Sequence, residues 1–117
     1  MDPSPLDLIN DEIKRTAYQK KVVTKLPVND VLAEAAAFFQ ERGYKSGPTG
    51  HPGHVFVLGR AEGALPRVTA EIAARTDVGK PGTTLVTLDG AGERLGPQLA
   101  EFATYLRSRR IGPPQPK

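Results

Sequence analysis

Alternation of apolar and polar residues predicts four half-buried strands in this chain. A period of two places one row of side chains in a core and the other row on a surface. The clearest case is residues 67–76, where four apolar residues alternate with arginine, threonine and glutamate. The predicted strands are residues 20–27, 54–60, 67–76 and 83–89.

Apolar residues spaced three and four apart predict three helices. The first begins with Ser4 followed by Pro5, a pair typical of a helix start. The second has Asn29 as its expected N-cap and Gly43 just past its expected end. The expected apolar faces are Leu6, Ile9, Ile13 and Ala17 in the first helix, Leu32, Ala35, Ala36 and Phe39 in the second, and Leu95, Leu99, Phe102 and Leu106 in the third.

The order of these elements predicts an α+β fold. We expect a four-stranded antiparallel sheet, built from one strand, a helix and a three-strand meander, with two helices packed on one face. Residues 45–53, which hold three glycines and two prolines, are expected to form a loop. The expected organisation is a peripheral amphipathic helix at residues 1–19, a single α+β domain at 20–110 and a disordered proline-rich tail at 111–117.

The face of the sheet away from the helices is expected to be polar. Antiparallel sheets often leave one face open to water, and such a face can accept a ligand. The residues expected on it are Lys21, Lys25, Thr69, Glu71 and Arg75.

Composition excludes several classes of chemistry. The 117 residues include no cysteine, so disulfides, thiolate zinc sites, iron–sulfur clusters and cysteine nucleophiles are ruled out. The acidic start lacks the apolar run of a signal peptide, and no stretch approaches the ~20 apolar residues of a membrane span. We therefore expect a soluble cytoplasmic protein without a membrane segment.

The chain is mildly basic, with a formal net charge of +3 and a pI of about 9.4. Its cations concentrate beside the first strand and at the end of the last helix. A basic edge of this kind can attract nucleic acid or acidic partners. The candidate nucleic-acid-binding residues are Lys20, Lys21, Lys25, Arg107, Arg109 and Arg110.

The segment TLVTLDGAGERLG, residues 84–96, resembles a phosphate-binding glycine loop between a strand and a helix. A dinucleotide site also needs a further parallel strand and an acidic residue about 20 positions later. Only 21 residues follow Gly96, and they hold a helix and a proline tail. We therefore interpret the segment as a turn that uses the backbone freedom of glycine.

Side chains for catalysis or metal binding are sparse. His51 and His54 are three residues apart, but a zinc or copper site needs three or four ligands. Glu71 lies in mid-strand and is expected to pair with a Lys or Arg of the next strand. The serines lie outside any nucleophile motif. We predict no catalytic residue, no metal and no cofactor, and hence no enzyme.

From residue 29 onward, the predicted order of helix, three strands and helix is similar to that of the double-stranded RNA-binding domain. Residues 47–60, GPTGHPGHVFVLGR, resemble the loop that leads into the first strand of that family. The resemblance implies phosphate contacts from a lysine-rich start of the last helix. This chain instead has Glu93, Arg94, Leu95, Gly96 and Pro97 there. The element order also resembles TATA-binding-protein-like and helix-grip folds, which commonly serve as ligand or partner modules.

Two functions agree with these patterns. The leading hypothesis is a small non-catalytic module that binds a protein partner or a second copy of itself. It rests on the missing catalytic motifs, the amphipathic first helix and the open polar sheet face. The alternative is weak nucleic-acid binding by the six basic residues named above, which requires both clusters to share one surface.

Overall fold

A computed structural model describes residues 4–76 and 81–108 of the chain. The described residues form three helices and five strands. In chain order these are α1 (Pro5–Thr16), β1 (Tyr18–Thr24), α2 (Val28–Glu41), β2 (Lys45–Pro48), β3 (His54–Leu58), β4 (Thr69–Thr76), β5 (Thr84–Gly90) and α3 (Leu95–Ser108).

The five strands form one antiparallel sheet in the order β1-β5-β4-β3-β2. Strands β2 to β5 are consecutive neighbours, as in a meander, and β1 joins the sheet next to the last strand. The register between β1 and β5 aligns Tyr18 with Gly90 and Val22 with Val86. The predicted α+β class with an antiparallel sheet is confirmed, but the sheet has five strands and not four.

The additional strand is β2, which occupies part of the segment predicted as a loop. Lys45–Pro48 pairs with residues 55–58 of β3 at the edge of the sheet. Glycine and proline disfavour an interior strand, which pairs on both sides. Strand β2 lies at the edge of the sheet and pairs only with β3, so Gly47 and Pro48 are tolerated there. The sequence pattern could not reveal this strand, because its pairing comes from the neighbouring strand. Four strands therefore lie between α2 and α3, which departs from the helix, three strands and helix order of the RNA-binding family.

The sequence predicts the start of α1 correctly but not the start of α2. Ser4 caps α1, accepting a hydrogen bond from the Asp7 amide while the Asp7 carboxylate accepts one from the Ser4 amide. The expectation that Asn29 caps α2 is wrong. The helix begins two residues earlier, because its N-cap is Pro27, whose carbonyl accepts a hydrogen bond from the Val31 amide. Gly43 follows α2 at a φ of 89°, as expected for a helix end.

Helices α2 and α3 pack against the sheet and enclose the core. The α3 face matches the prediction, since Leu95, Leu99, Phe102 and Leu106 are all buried. In α2 the buried row is shifted. Ala35 and Phe39 are buried as predicted, but Val31 joins them, while Leu32 and Ala36 are only half-buried. Val31, Ala35 and Phe39 are spaced four residues apart, so they form one row along the helix, and this row faces the core.

Glu62 holds the N-terminus of α3. This carboxylate is buried, and its Oε1 accepts hydrogen bonds from the amides of Arg94 (2.7 Å) and Leu95 (3.4 Å). Free amides at a helix start favour a negative partner. Glu62 therefore ties the loop between β3 and β4 to α3.

Gly59, just past β3, lies against two other side chains and shows how tightly this region is packed. A Cβ at this position would approach Val68 Cγ2 to 2.6 Å and Tyr44 Cε1 to 2.7 Å. In Gly47, on the edge strand, the nearest atom to a Cβ would be Phe56 Cε1, at an ordinary 3.5 Å.

We predict that Gly59→Ala lowers the free energy of unfolding by about 1–3 kcal/mol, because an added methyl group overpacks this site. Gly47→Ala serves as the matched control. It is expected to leave stability unchanged or raise it by up to about 1 kcal/mol, since it restricts the unfolded chain without a clash. Urea unfolding of both variants measures the difference, and equal effects would contradict the packing argument.

Candidate binding surface on the open sheet face

The sheet face away from α2 and α3 is exposed, and it is less polar than the sequence predicts. The expected residues Lys21, Lys25, Thr69, Glu71 and Arg75 are all exposed. Phe56 also lies on this face, because its neighbours Val55 and Val57 occupy the core side of β3. Val23 adds a second exposed apolar side chain at the far end of the face. The surface is therefore mixed, with apolar patches between charged groups.

A row of side chains crosses this face near the end of β5. The register aligns Gln19 with Asp89, Asp89 with Glu71, and Glu71 with Phe56. Asp89 and Glu71 are thus directly opposite each other on paired strands. Like charges at such positions destabilise a sheet. A cationic group placed over them would relieve that repulsion.

The nearest base to these carboxylates is a histidine. His54 Nδ1 lies 2.7 Å from Glu71 Oε1, so the expected Lys or Arg partner of Glu71 is wrong. The His51 ring is 5.8 Å from that of His54. The side chains of His54 and Glu71 are 34% and 55% exposed, so the pair lies on an open face and not in an enclosed cleft. Within residues 4–76 and 81–108, no group of three or more His, Asp or Glu side chains is placed to hold a metal ion.

Helix α1 borders this row and forms one side of a groove of about 720 Å³. Ile9, Ile13 and Ala17 line the helix side of the groove. Phe56 and Pro66 line the other side, with Glu71 and Asp89 between them. Much of the apolar face of α1 remains uncovered, since Leu6 is 65% exposed and Ile13 is 42% exposed.

The base of α1 is nevertheless fixed to the domain. Thr16 Oγ1 accepts a hydrogen bond from the Gly92 amide (2.9 Å) and donates one to the Glu12 carbonyl (2.6 Å). The Glu12 carboxylate is buried beside Gly63 and forms an ion pair with Arg15 at 2.6 Å. These contacts hold the helix in position while its outer apolar side chains stay in solvent.

The glycine segment before α3 is a turn, as predicted. Three of its amides already have partners. The Gly92 amide donates to Thr16 Oγ1, and the amides of Arg94 and Leu95 at the helix start donate to Glu62 Oε1. Gly92 has a φ of 140°, which other residues rarely adopt. A phosphate would find no group of unpaired amides here.

The six predicted nucleic-acid residues are only partly brought together. Lys20 and Lys21 are successive residues of β1, so their side chains leave opposite faces of the sheet. Lys25 and Arg107 follow the two residues of one contact, because Thr24 Oγ1 donates to the Leu106 carbonyl at 3.5 Å. Arg109 and Arg110 lie outside the described residues.

The sequence analysis missed a second group of cations, at the end of the sheet near Tyr44. Arg42, Arg60 and Arg94 line a cavity of about 370 Å³ together with Tyr44 and Glu62. These residues are scattered over half the chain, so no local pattern could have indicated them. Burial raises the pKa of the Tyr44 phenol above its usual 10.0; the nearby Glu62 charge raises it further, and Arg94 lowers it.

Comparison with known proteins adds little to this geometry. No family model and no curated protein match the chain. Among solved structures, it is similar to the protein DR_A0006 from Deinococcus radiodurans, with 13% sequence identity and a TM-score of 0.44. The match covers 79% of this chain and 95% of that chain. At this level of similarity it supports no conclusion about function.

The structure also addresses the predicted absence of a membrane segment. Over the described part of the chain, none of the helices has the length and apolar character needed to cross a membrane.

We predict that the Tyr44 phenol ionises only above pH 10.0, its ordinary value. Because folding raises this pKa, the phenol's contribution to stability is complete below pH 10.0 and is lost as the pH rises through the folded-state value. The difference in tyrosinate absorbance between wild type and Tyr44→Phe follows this ionisation directly. The variant should also lose less stability above pH 10 than wild type. A difference signal that appears at or below pH 10 would contradict this.

Proposed function

We propose that this chain is a non-catalytic binding module that self-associates through its open sheet face. In this arrangement, α1 of each copy covers the sheet of the other. The observation that carries the proposal is the exposed apolar face of α1, which stands beside an exposed sheet face carrying Phe56.

The apolar side chains on both surfaces support this arrangement. Leu6 and Ile13 lie within about 20° of each other around α1, so they form one stripe. Phe56 on the sheet is 37% exposed and lines the same groove as Ile13. Contiguous exposed apolar patches on a small protein typically mark interaction sites. Burial of aromatic and branched side chains would supply the main driving force.

The charges on the two surfaces are complementary. Lys14 is adjacent to Ile13 on α1 and flanks its apolar stripe. Glu71 and Asp89 lie side by side on the sheet, where a cation would relieve their repulsion. A second copy can therefore place Lys14 over these carboxylates as its apolar stripe meets Phe56.

Symmetry explains why a second copy is the favoured partner. In a two-fold dimer, each contact between α1 of one copy and the sheet of the other occurs twice, so both surfaces of both copies are covered. A different partner would cover only one of the two surfaces at a time or would need to carry both.

We predict that Ile13→Glu and Phe56→Glu each abolish self-association, because they place a charge in the proposed interface. Both side chains are already partly exposed, so the monomer should stay folded. Leu8→Glu is the matched control. Leu8 is 46% exposed on the same helix but lies about 140° around it from Ile13. Sedimentation equilibrium over a range of concentrations measures the association.

Two outcomes would contradict this proposal. Wild-type protein could remain monomeric at every concentration, or Leu8→Glu could have the same effect as Ile13→Glu. A charge exchange adds a specific test of orientation. Lys14→Glu should weaken the dimer, and Glu71→Lys in the same chain should restore part of the loss.

The second candidate function is nucleic-acid binding. The observation that favours it is the Thr24–Leu106 hydrogen bond, which brings the segment of chain that holds Lys25 to the segment that holds Arg107. Together the two cations could contact one or two backbone phosphates, which would give affinity without sequence specificity.

We predict for this candidate that the protein binds labelled duplex or single-stranded nucleic acid with an affinity that falls as salt rises. Lys25→Gln with Arg107→Gln should weaken binding. It should also reduce the slope of log K against log salt concentration by about one for each lost phosphate contact. Lys14→Gln removes a charge on α1, before the opposite end of β1, and should leave the slope nearly unchanged. A fluorescence titration at two salt concentrations measures both, and absence of binding at low salt would remove this candidate.

A further inference from the structure

We propose that the basic end of the sheet, formed by Arg42, Lys45, Arg60, Arg67 and Arg94, is a binding site for a ligand with two or more neighbouring phosphate groups. The site adjoins the groove on the open sheet face, with which it shares Pro66 and Arg67, and it is separate from the Lys25–Arg107 pair.

Two adjoining cavities form this site. The first, of about 370 Å³, contains Arg42 and Arg94, and the second, of about 540 Å³, contains Lys45 and Arg67. They share Arg60 and the small residues around it, so they form one continuous groove. A groove of this length can hold several charged groups in a row.

The fold brings these cations together from three separate turns. Arg42 and Lys45 flank the turn that follows α2. Arg60 and Arg67 stand at the two ends of the connection between β3 and β4, which the hydrogen bond from Gly59 N to Val68 O (2.8 Å) draws together. Arg94 belongs to the turn before α3.

Charge is concentrated at this end to an unusual degree. Five cationic side chains line the groove against a single carboxylate, that of Glu62. The whole chain has a formal net charge of only +3. The Glu62 carboxylate is also compensated, because it accepts two hydrogen bonds from the start of α3. The positive potential of the groove is therefore not cancelled by its own residues.

Most of these cations are available to a ligand. Among the described residues, no side-chain hydrogen bond or ion pair engages Arg60, Arg67 or Arg94. Arg42 is held in place, since its guanidinium lies 3.5 Å from the centroid of the Phe38 ring and its Nε is 3.6 Å from Glu101 Oε2. The Tyr44 phenol stays protonated at neutral pH, so it can donate a further hydrogen bond.

These features favour phosphate groups over other ligands. Guanidinium groups form paired, charge-assisted hydrogen bonds with phosphate oxygens. A lone carboxylate or a single phosphate would leave much of the positive charge unbalanced. Apolar ligands are disfavoured, because only Leu58 and Pro66 offer larger apolar side chains along the groove.

The test is isothermal titration calorimetry with inorganic tripolyphosphate as the probe. Wild-type protein is expected to bind it, and Arg60→Gln with Arg94→Gln should raise the Kd at least about tenfold. Arg75→Gln removes a cation at the far end of β4, about 25 Å along the strand from Arg67, and should change the Kd less than twofold. Circular dichroism checks the fold, and Arg67→Glu provides an independent second variant.

A parallel titration with a short single-stranded oligonucleotide identifies the source of the phosphates. If the oligonucleotide binds, is displaced by tripolyphosphate and is lost in Arg60→Gln with Arg94→Gln, the ligand is a phosphodiester chain. If tripolyphosphate binds and the oligonucleotide does not, the ligand carries a terminal polyphosphate. Absence of binding to both probes would overturn the proposal, as would a loss in Arg75→Gln equal to that in Arg60→Gln with Arg94→Gln. Self-association does not enter these measurements if the protein is kept dilute.

Discussion

The pairing of β1 with β5 is the interaction on which the rest of the structure depends. It joins the first strand of the chain to the last through seven aligned residue pairs, from Tyr18 with Gly90 to Thr24 with Thr84. Two threonines reinforce the far end of the pairing, because Thr84 Oγ1 donates to the Leu26 carbonyl and Thr24 Oγ1 to that of Leu106. The first strand and the last described helix thereby meet at one edge of the sheet, where α3 packs against β1.

The position of α1 follows from the same pairing. Because Tyr18 lies opposite Gly90, the end of α1 meets the turn before α3, and Thr16 can bond to Gly92. This fixes α1 beside the open sheet face and not over the core. Its apolar stripe is left in solvent next to Phe56, and the surface proposed for self-association exists only because of this placement.

Glu62 organises the same end of the molecule. By capping α3 it holds the connection between β3 and β4 against the start of that helix. The same connection carries Arg60 and Arg67, and the capped helix start carries Arg94. One buried carboxylate thus neutralises a helix terminus and at the same time assembles cations that its own charge does not offset.

The sequence by itself determined the α+β class, the antiparallel sheet and the alternation of faces along β4 and β5. It also determined the α1 cap at Ser4 and the buried face of α3. Each of these depends on local periodicity or on short-range hydrogen bonds, which a single stretch of residues contains.

Tertiary structure alone decided the features that need a distant partner. The strand at Lys45–Pro48 exists because β3 pairs with it, and its glycine and proline conceal it in the sequence. Val31 is buried in preference to Leu32 because the packing of α2 on the sheet turns the Val31, Ala35 and Phe39 row toward the core. Glu71 meets His54, Phe56 faces solvent, and five scattered cations share one groove, since strand register and turn packing set these contacts over separations that no local pattern records.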